Sequence, residues 1–124
     1  MRVRVNGSMS THKDLDIWKN GIVIVEEVYK LCKQIPDDEK FGLISQLKRA
    51  SVSIPSNIAE GAARQSTKEY IQFIYIALGS LSEIETQIII AHRLNYISDT
   101  DILVSIENER KQILNFIKYL KSKM

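Results

Sequence analysis

Apolar residues return every three or four positions almost from one end of this sequence to the other, and strand-like alternation appears nowhere at useful length. That pattern commits the chain to helices, each with an apolar face that must be buried against another. The first helix is expected over about Asp14 to Gln34, with Trp18, Gly21, Ile22, Val25, Val28, Tyr29 and Cys32 on one face. Gly21 lowers helix propensity there, which a close helix crossing would explain. Ile35-Pro36 ends the segment, because proline disfavours helical geometry in the residue before it. The second helix opens on Asp37, Asp38 and Glu39, acids that suit the positive end of the helix dipole, and runs to about Ala63. Pro55 inside it removes the bond to the Ser51 carbonyl and predicts a kink near Ser51–Pro55; a break into two shorter helices is the alternative.

Gln65-Ser66-Thr67 forms the next turn, and Ser66 with Glu69 has capping-box spacing. The third helix, Thr67 to about Arg93, carries the seam Tyr70, Phe73, Ala77, Leu81, Ile84, Ile88 and Ala91, widened sideways by Ile71, Ile74 and Leu78. Ile90 falls outside that seam, on the face of Gln72, Gly79, Ser82, Glu83 and Thr86. A second buried surface, and hence a homo-oligomer, would account for it. After a loop at Leu94 to Ser98, Ser98 or Asp99 is expected to cap a fourth helix reaching about Ser122. Its seam is Leu103, Ile106, Arg110, Ile113, Ile117 and Leu120, so Arg110 must snorkel, pair with a carboxylate or sit at a subunit boundary. The fold class that follows is all-α, an antiparallel up-down-up-down four-helix bundle over residues 13–124, with its second helix kinked near Pro55.

At 124 residues, 44% hydrophobic and 26% charged, the chain can bury a core without disulfides or metals. Its single cysteine, Cys32, allows no intrachain bridge, which favours a reducing, cytoplasmic location. No continuous apolar run approaches the roughly 18 residues of a membrane span, so no membrane partner is expected. Residues 1–12 are set apart as a disordered or extension segment; Met9 offers an alternative start, with residues 1–8 an upstream extension.

Catalytic chemistry is poorly supplied, and no enzyme activity, metal or cofactor is expected. His12 and His92 lie far apart, no Glu-x-x-His pair exists for a di-iron bundle, and there is no phosphate-binding glycine loop of the GxxxxGK type. Cys32 reads as a small core residue. Two other features stand out. At about 100° per residue, Gln46, Arg49, Ser53, Asn57, Glu60 and Arg64 form one polar stripe beside Leu43, Leu47, Ala50, Ile54 and Ile58. Short Ser and Asn side chains in such a stripe suit an ordered network at a helix–helix seam or a subunit boundary, here Gln46, Ser53, Asn57 and Glu60, with Glu60 near Arg49 or Arg64; an ordinary amphipathic edge is the alternative. The second feature is the run from Arg110 onward, with Arg110, Lys111, Lys118, Lys121 and Lys123 and no acid. The formal charge of +2 is mild, so any anionic partner must be met by this local gathering of charge.

The words RASVSIPSNIAEGAAR at 49–64 and KEYIQFIYIALGSLSEIETQIIIA at 68–91, with DLDIWK at 14–19, closely resemble the four-helix-bundle family of 23S rRNA intervening-sequence proteins. Members of that family are encoded in insertions within bacterial large-subunit rRNA genes and elsewhere in genomes. They are similar to the accessory proteins of diversity-generating retroelements, pentameric barrels that bind a reverse transcriptase and nucleic acid. The resemblance implies a cytoplasmic, non-enzymatic, pentameric protein with an RNA, other nucleic-acid or ribonucleoprotein role. The expected phosphate contacts are Lys48, Arg49, Arg64, Arg110, Lys111, Lys118 and Lys121, largely independent of sequence and with no aromatic-rich stacking platform beside them. The alternative is a protein–protein scaffold, for example docking a reverse transcriptase, without direct nucleic-acid contact.

Overall fold

The computed structural model describes residues 3–5 and 8–124, with side chains from Thr11 onward. Helices α1 (Asp16–Cys32), α2 (Leu43–Ala62), α3 (Thr67–Arg93) and α4 (Ile102–Lys121) form a ring in which each packs on the next and α4 closes on α1. Polar bridges fix their antiparallel sense. Gln87 near the end of α3 donates to Gln46 near the start of α2 at 3.4 Å, and Asn20 early in α1 donates to Gln112 just past the middle of α4 at 2.9 Å. The core between them is mostly isoleucine and leucine, with Ile24, Leu47, Ile54, Ile74, Leu81, Ile84, Ile106 and Ile113 all at or near zero exposure. Among the described helices, α3 alone has the length and mean hydropathy (1.4) that would let it cross a membrane; its apolar content supplies the bundle core on one face.

The segment expected as a disordered or extension stretch lies partly outside the described residues. Within it, β1 (Val3–Val5) pairs antiparallel with β2 (Ser8–Ser10). A 3-10 turn at His12–Asp14 follows, held by a capping box in which Thr11 and Asp14 exchange side-chain and backbone bonds. Leu15 is extended, so α1 begins at Asp16 rather than Asp14.

Helix boundaries elsewhere follow local chemistry. Asp37–Glu39 form a separate 3-10 turn instead of opening α2, and the Glu39 carboxylate accepts from the Leu43 amide at 3.4 Å, serving the first turn of α2 from outside. Helix α2 runs unbroken through Pro55, which excludes the division into two helices. Ser66 caps α3 by accepting from the Glu69 amide at 3.1 Å. At the other end of α3, Asn95 takes a left-handed φ of 63°, a conformation Asn tolerates, and the Tyr96 amide reaches back to the Ala91 carbonyl. Asp99 accepts from the Asp101 amide at 2.8 Å ahead of α4.

Two faces are rotated from their expected positions. On α1 the core takes Ile17, Gly21, Ile24, Val28, Leu31 and Cys32, leaving Ile22 and Tyr29 exposed and Trp18 and Val25 half-buried toward α2. On α4 the core takes Ile102 and Glu109, while Leu103 and Arg110 sit half-buried at its edge.

Small residues set the spacing of α2. A β-carbon at Gly21 would come within 3.3 Å of Ile54 and 3.6 Å of Pro55; one at Gly61 would come within 2.9 Å of Phe73 Cβ and 3.2 Å of the Tyr70 carbonyl oxygen. Both glycines therefore sit at close crossings, and at Gly61 backbone as well as side chain fills the space. Gly61→Ala is expected to cost about 1–3 kcal/mol through overpacking, although alanine is the better helix former. Urea unfolding measures it, and a gain in stability would contradict the crossing.

Glu109 is 1% exposed, and neither carboxyl oxygen has a hydrogen-bond partner among the described residues. Burial without a compensating charge lifts its carboxyl from 4.5 to about 8. Between these values the folded chain holds a proton that the unfolded chain has released. The stability this group contributes is thus full below about pH 4.5 and is lost as pH rises toward 8, by up to about 1.4 kcal/mol per unit. Chemical unfolding of the parent and Glu109→Gln across this window should show the parent weakening relative to the variant as pH rises. Parallel pH profiles would contradict the assignment.

Candidate nucleic-acid interface

The polar stripe of α2 lies against α3. Asn57 is half-buried, and its Nδ2 donates to both the Ser53 carbonyl and Ser53 Oγ at 2.8 Å. Ser53 Oγ pairs in turn with Ser80 Oγ of α3 at 2.8 Å, so a short relay ties Asn57 to the neighbouring helix. Gln46, exposed, accepts from Gln87. Glu60 pairs with Arg64 at 3.3 Å across one turn, and Arg49 is exposed without an acidic partner among the described residues. The Ser53–Ser80 and Gln46–Gln87 bonds cross the seam and pack α2 on α3, while the Glu60–Arg64 pair stays beside α2.

The cations named from sequence do not converge on one surface. Lys48 lies over the Tyr29 ring at 4.9 Å, bridging α2 to α1. Arg64 lies just beyond the C-terminal end of α2, about 20 Å along that helix from Lys48, stacked at 4.7 Å on Phe73 of α3. Arg110 is committed to structure. Its Nη2 and Nη1 meet the two Glu85 oxygens at 2.9 and 3.2 Å, it also bonds Glu107, and the carboxylate beside it raises the guanidinium pKa further. Such a forked pair fixes α4 against α3 and spends the charge that a phosphate would need. Lys111, Lys118 and Lys121 remain exposed on α4, joined by Lys123 just beyond its end. Lys111 and Lys118 are seven residues apart, hence within about 20° of each other, on the side opposite Ile113 and Ile106.

Aromatic rings accompany these lysines, contrary to the expectation from sequence. Lys121 Nζ donates to Tyr75 Oη at 3.0 Å, and Lys123 sits 5.0 Å from the Tyr119 ring centre. Tyr75 and Tyr119 are each nearly half exposed. Sequence spacing hid this grouping because Tyr75 belongs to α3 and meets the α4 lysines only once the helices pack.

Among the described residues, no three His, Cys, Asp or Glu side chains gather as a metal site. Cys32 is buried, and burial pushes its thiol pKa up, which disfavours the nucleophilic thiolate.

No curated protein matches this chain. Among solved structures, it is similar to the crystal structure of a protein of unknown function from the S23 ribosomal protein family of Bacteroides thetaiotaomicron. That likeness has a TM-score of 0.61 and 24% identity over 86% of this chain and 95% of the other, and it speaks for the fold alone. The family described as 23S rRNA-intervening sequence protein matches residues 13–119, which takes in α1, α2, α3 and nearly all of α4. With its four helices and signature stretches inside that match, the chain belongs to the family of 23S rRNA-intervening sequence proteins.

Proposed function

We propose that this protein is a non-enzymatic, cytoplasmic ring-forming subunit that associates with RNA through the outer face of α4. The observation that carries the reading is the exposed run Lys111, Lys118, Lys121 and Lys123, on a stretch with no acid after Glu109. Phosphates recognised by point charges carry no sequence information, so binding is electrostatic and tolerant of sequence. Arg110 is left out of the contact set because Glu85 and Glu107 neutralise it.

The exposed face of α3 supports self-association. Ile76 and Ile90 are 50% and 44% exposed on either side of Gly79, and a β-carbon at Gly79 would meet nothing within 4 Å. A mid-helix glycine costs roughly 0.5–1 kcal/mol relative to alanine, and here no crossing among the described residues explains it. Close approach of a second copy does. Trp18, Ile22, Val25 and Val52 line a different apolar groove between α1 and α2. Two unlike faces fit head-to-tail contacts that close into a ring, and the family resemblance suggests five subunits. Ring closure would multiply the +2 of each chain into a concentrated field. The same apolar faces also suit the alternative reading, a scaffold that docks a protein such as a reverse transcriptase without touching RNA.

Light scattering is expected to return a multiple of the 14.2 kDa chain mass, and Gly79→Leu is expected to dissociate the assembly with helicity retained. A parent mass near that of one chain removes the ring. Replacing Lys111, Lys118 and Lys121 with Ala should weaken binding of unrelated RNAs by similar factors. It should also flatten the log-affinity against log-salt slope by about 0.7 for each phosphate that is no longer neutralised. Equal affinity in parent and triple variant would place the RNA on another surface, and no salt-sensitive binding by the parent would favour the scaffold.

A further inference from the structure

The last turns of α4 carry more than charge. Tyr119 is 49% exposed, yet its ring is held in place, stacked on Phe116 at 6.0 Å with 27° between planes. Phe116 meets the buried Tyr70 edge-on at 5.5 Å, so a column of three rings rises from the core to the surface. A ring fixed this way loses little freedom when a second flat group stacks on it. Beside Phe116 and Tyr119 a cleft of about 440 Å³ opens between the start of α1 and the end of α4, with Gln112, Asn115 and Leu15 on its walls. Gln112 uses its carbonyl oxygen to accept from Asn20, which leaves its NH2 group for a ligand; Asn115 offers both a donor and an acceptor. Asp16 is the one acid lining this cleft among the described residues.

Lysines surround the same place. Lys123 lies over the Tyr119 ring, Lys118 is on the outer side of α4, and Lys121 turns toward Tyr75, itself 44% exposed. Going around α4, the order is Tyr119, Lys118, Lys121, then Tyr75 from α3, so two aromatic surfaces flank two cations. On the basis of the RNA reading above, we infer that the ligand is single-stranded, with unpaired bases stacking on Tyr119 and Tyr75 while Lys118, Lys121 and Lys123 hold the phosphates between them. An exposed lysine–aromatic pair is weaker than base–aromatic stacking, and the displaced ammonium moves onto a phosphate, so the exchange is favourable. A duplex hides its base faces within its own stack and meets only the lysines. Asn115 can turn its amide to present a donor or an acceptor to a base edge, while Gln112, held by Asn20, offers its NH2 group as a donor, which fits stacking that tolerates sequence.

Fluorescence anisotropy with labelled oligouridine and oligoadenosine, against an RNA duplex of equal length, tests this. The parent should bind both single strands more tightly than the duplex. Tyr119→Leu should lose about tenfold in single-strand affinity with the salt slope unchanged, and Tyr119→Phe should keep parental affinity. Melting and light scattering of each variant accompany the titrations. Salt-sensitive binding that Tyr119→Leu leaves at full strength, or equal affinity for duplex and single strand, overturns the stacking inference and leaves the phosphate reading standing. A changed assembly mass in Tyr119→Leu overturns it too, by assigning the ring to a subunit contact. Absence of any salt-sensitive binding by the parent overturns the RNA reading itself.

Discussion

At Gly61 the backbone of α2 presses on α3 so closely that Phe73 Cβ and the Tyr70 carbonyl oxygen occupy the space of a β-carbon. That approach fixes how α3 sits, and the other contacts depend on it. It lets Ser53 reach Ser80 directly, and it faces Gln87 to Gln46 nearer the other end of the same seam. With α3 so placed, Glu85 is presented to α4, where the forked bond from Arg110 anchors the last helix. On the other flank Gly21 allows α1 to meet Ile54 and Pro55 with almost no side chain between. Small residues at two crossings thus set the frame, and isoleucines and leucines fill what is left.

Helix number, order and antiparallel packing were legible in the sequence because four apolar-periodic segments separated by short turns have few ways to bury their faces. The finer register was not. On α1 the rows through Trp18 and through Ile17 are both apolar, and only the partner helix decides which faces inward; the structure chooses Ile17, Ile24, Val28 and Leu31. On α4 the neighbours Glu109 and Arg110 both break the apolar pattern, and periodicity alone puts the arginine in the seam. The structure buries the glutamate instead, because a carboxyl can shed its charge by holding a proton while a guanidinium cannot. Arg110 then sits at the edge, within reach of two acids from different positions.

The cations follow a similar logic. A count of Lys and Arg treats each as a unit charge, but packing divides them into several kinds. Arg110 is held by two carboxylates, Arg64 shares Glu60 and covers Phe73, and Lys48 covers Tyr29. Exposed ion pairs of this sort contribute little to stability, yet they lower the charge available to a ligand. What remains concentrated is the outer and terminal part of α4. Tyr119, on α4 itself and four residues before Lys123, was within reach of helical spacing, whereas Tyr75 was not, since no periodicity on one helix announces which residue of another will stand beside it.

The two long stretches that carry the family resemblance cover most of α2 and α3, and the contacts above explain much of their composition by packing: Gly61 at a close crossing, Ser53 and Asn57 in the relay to Ser80, isoleucine in the core. The exposed lysines and Tyr119 lie on α4, beyond those stretches. A signature that encodes a frame constrains the shape of a family member far more than its surface chemistry. Under the RNA reading proposed above, the contacts of this chain are to be sought on the outer face of α4, with ion-paired cations set aside first.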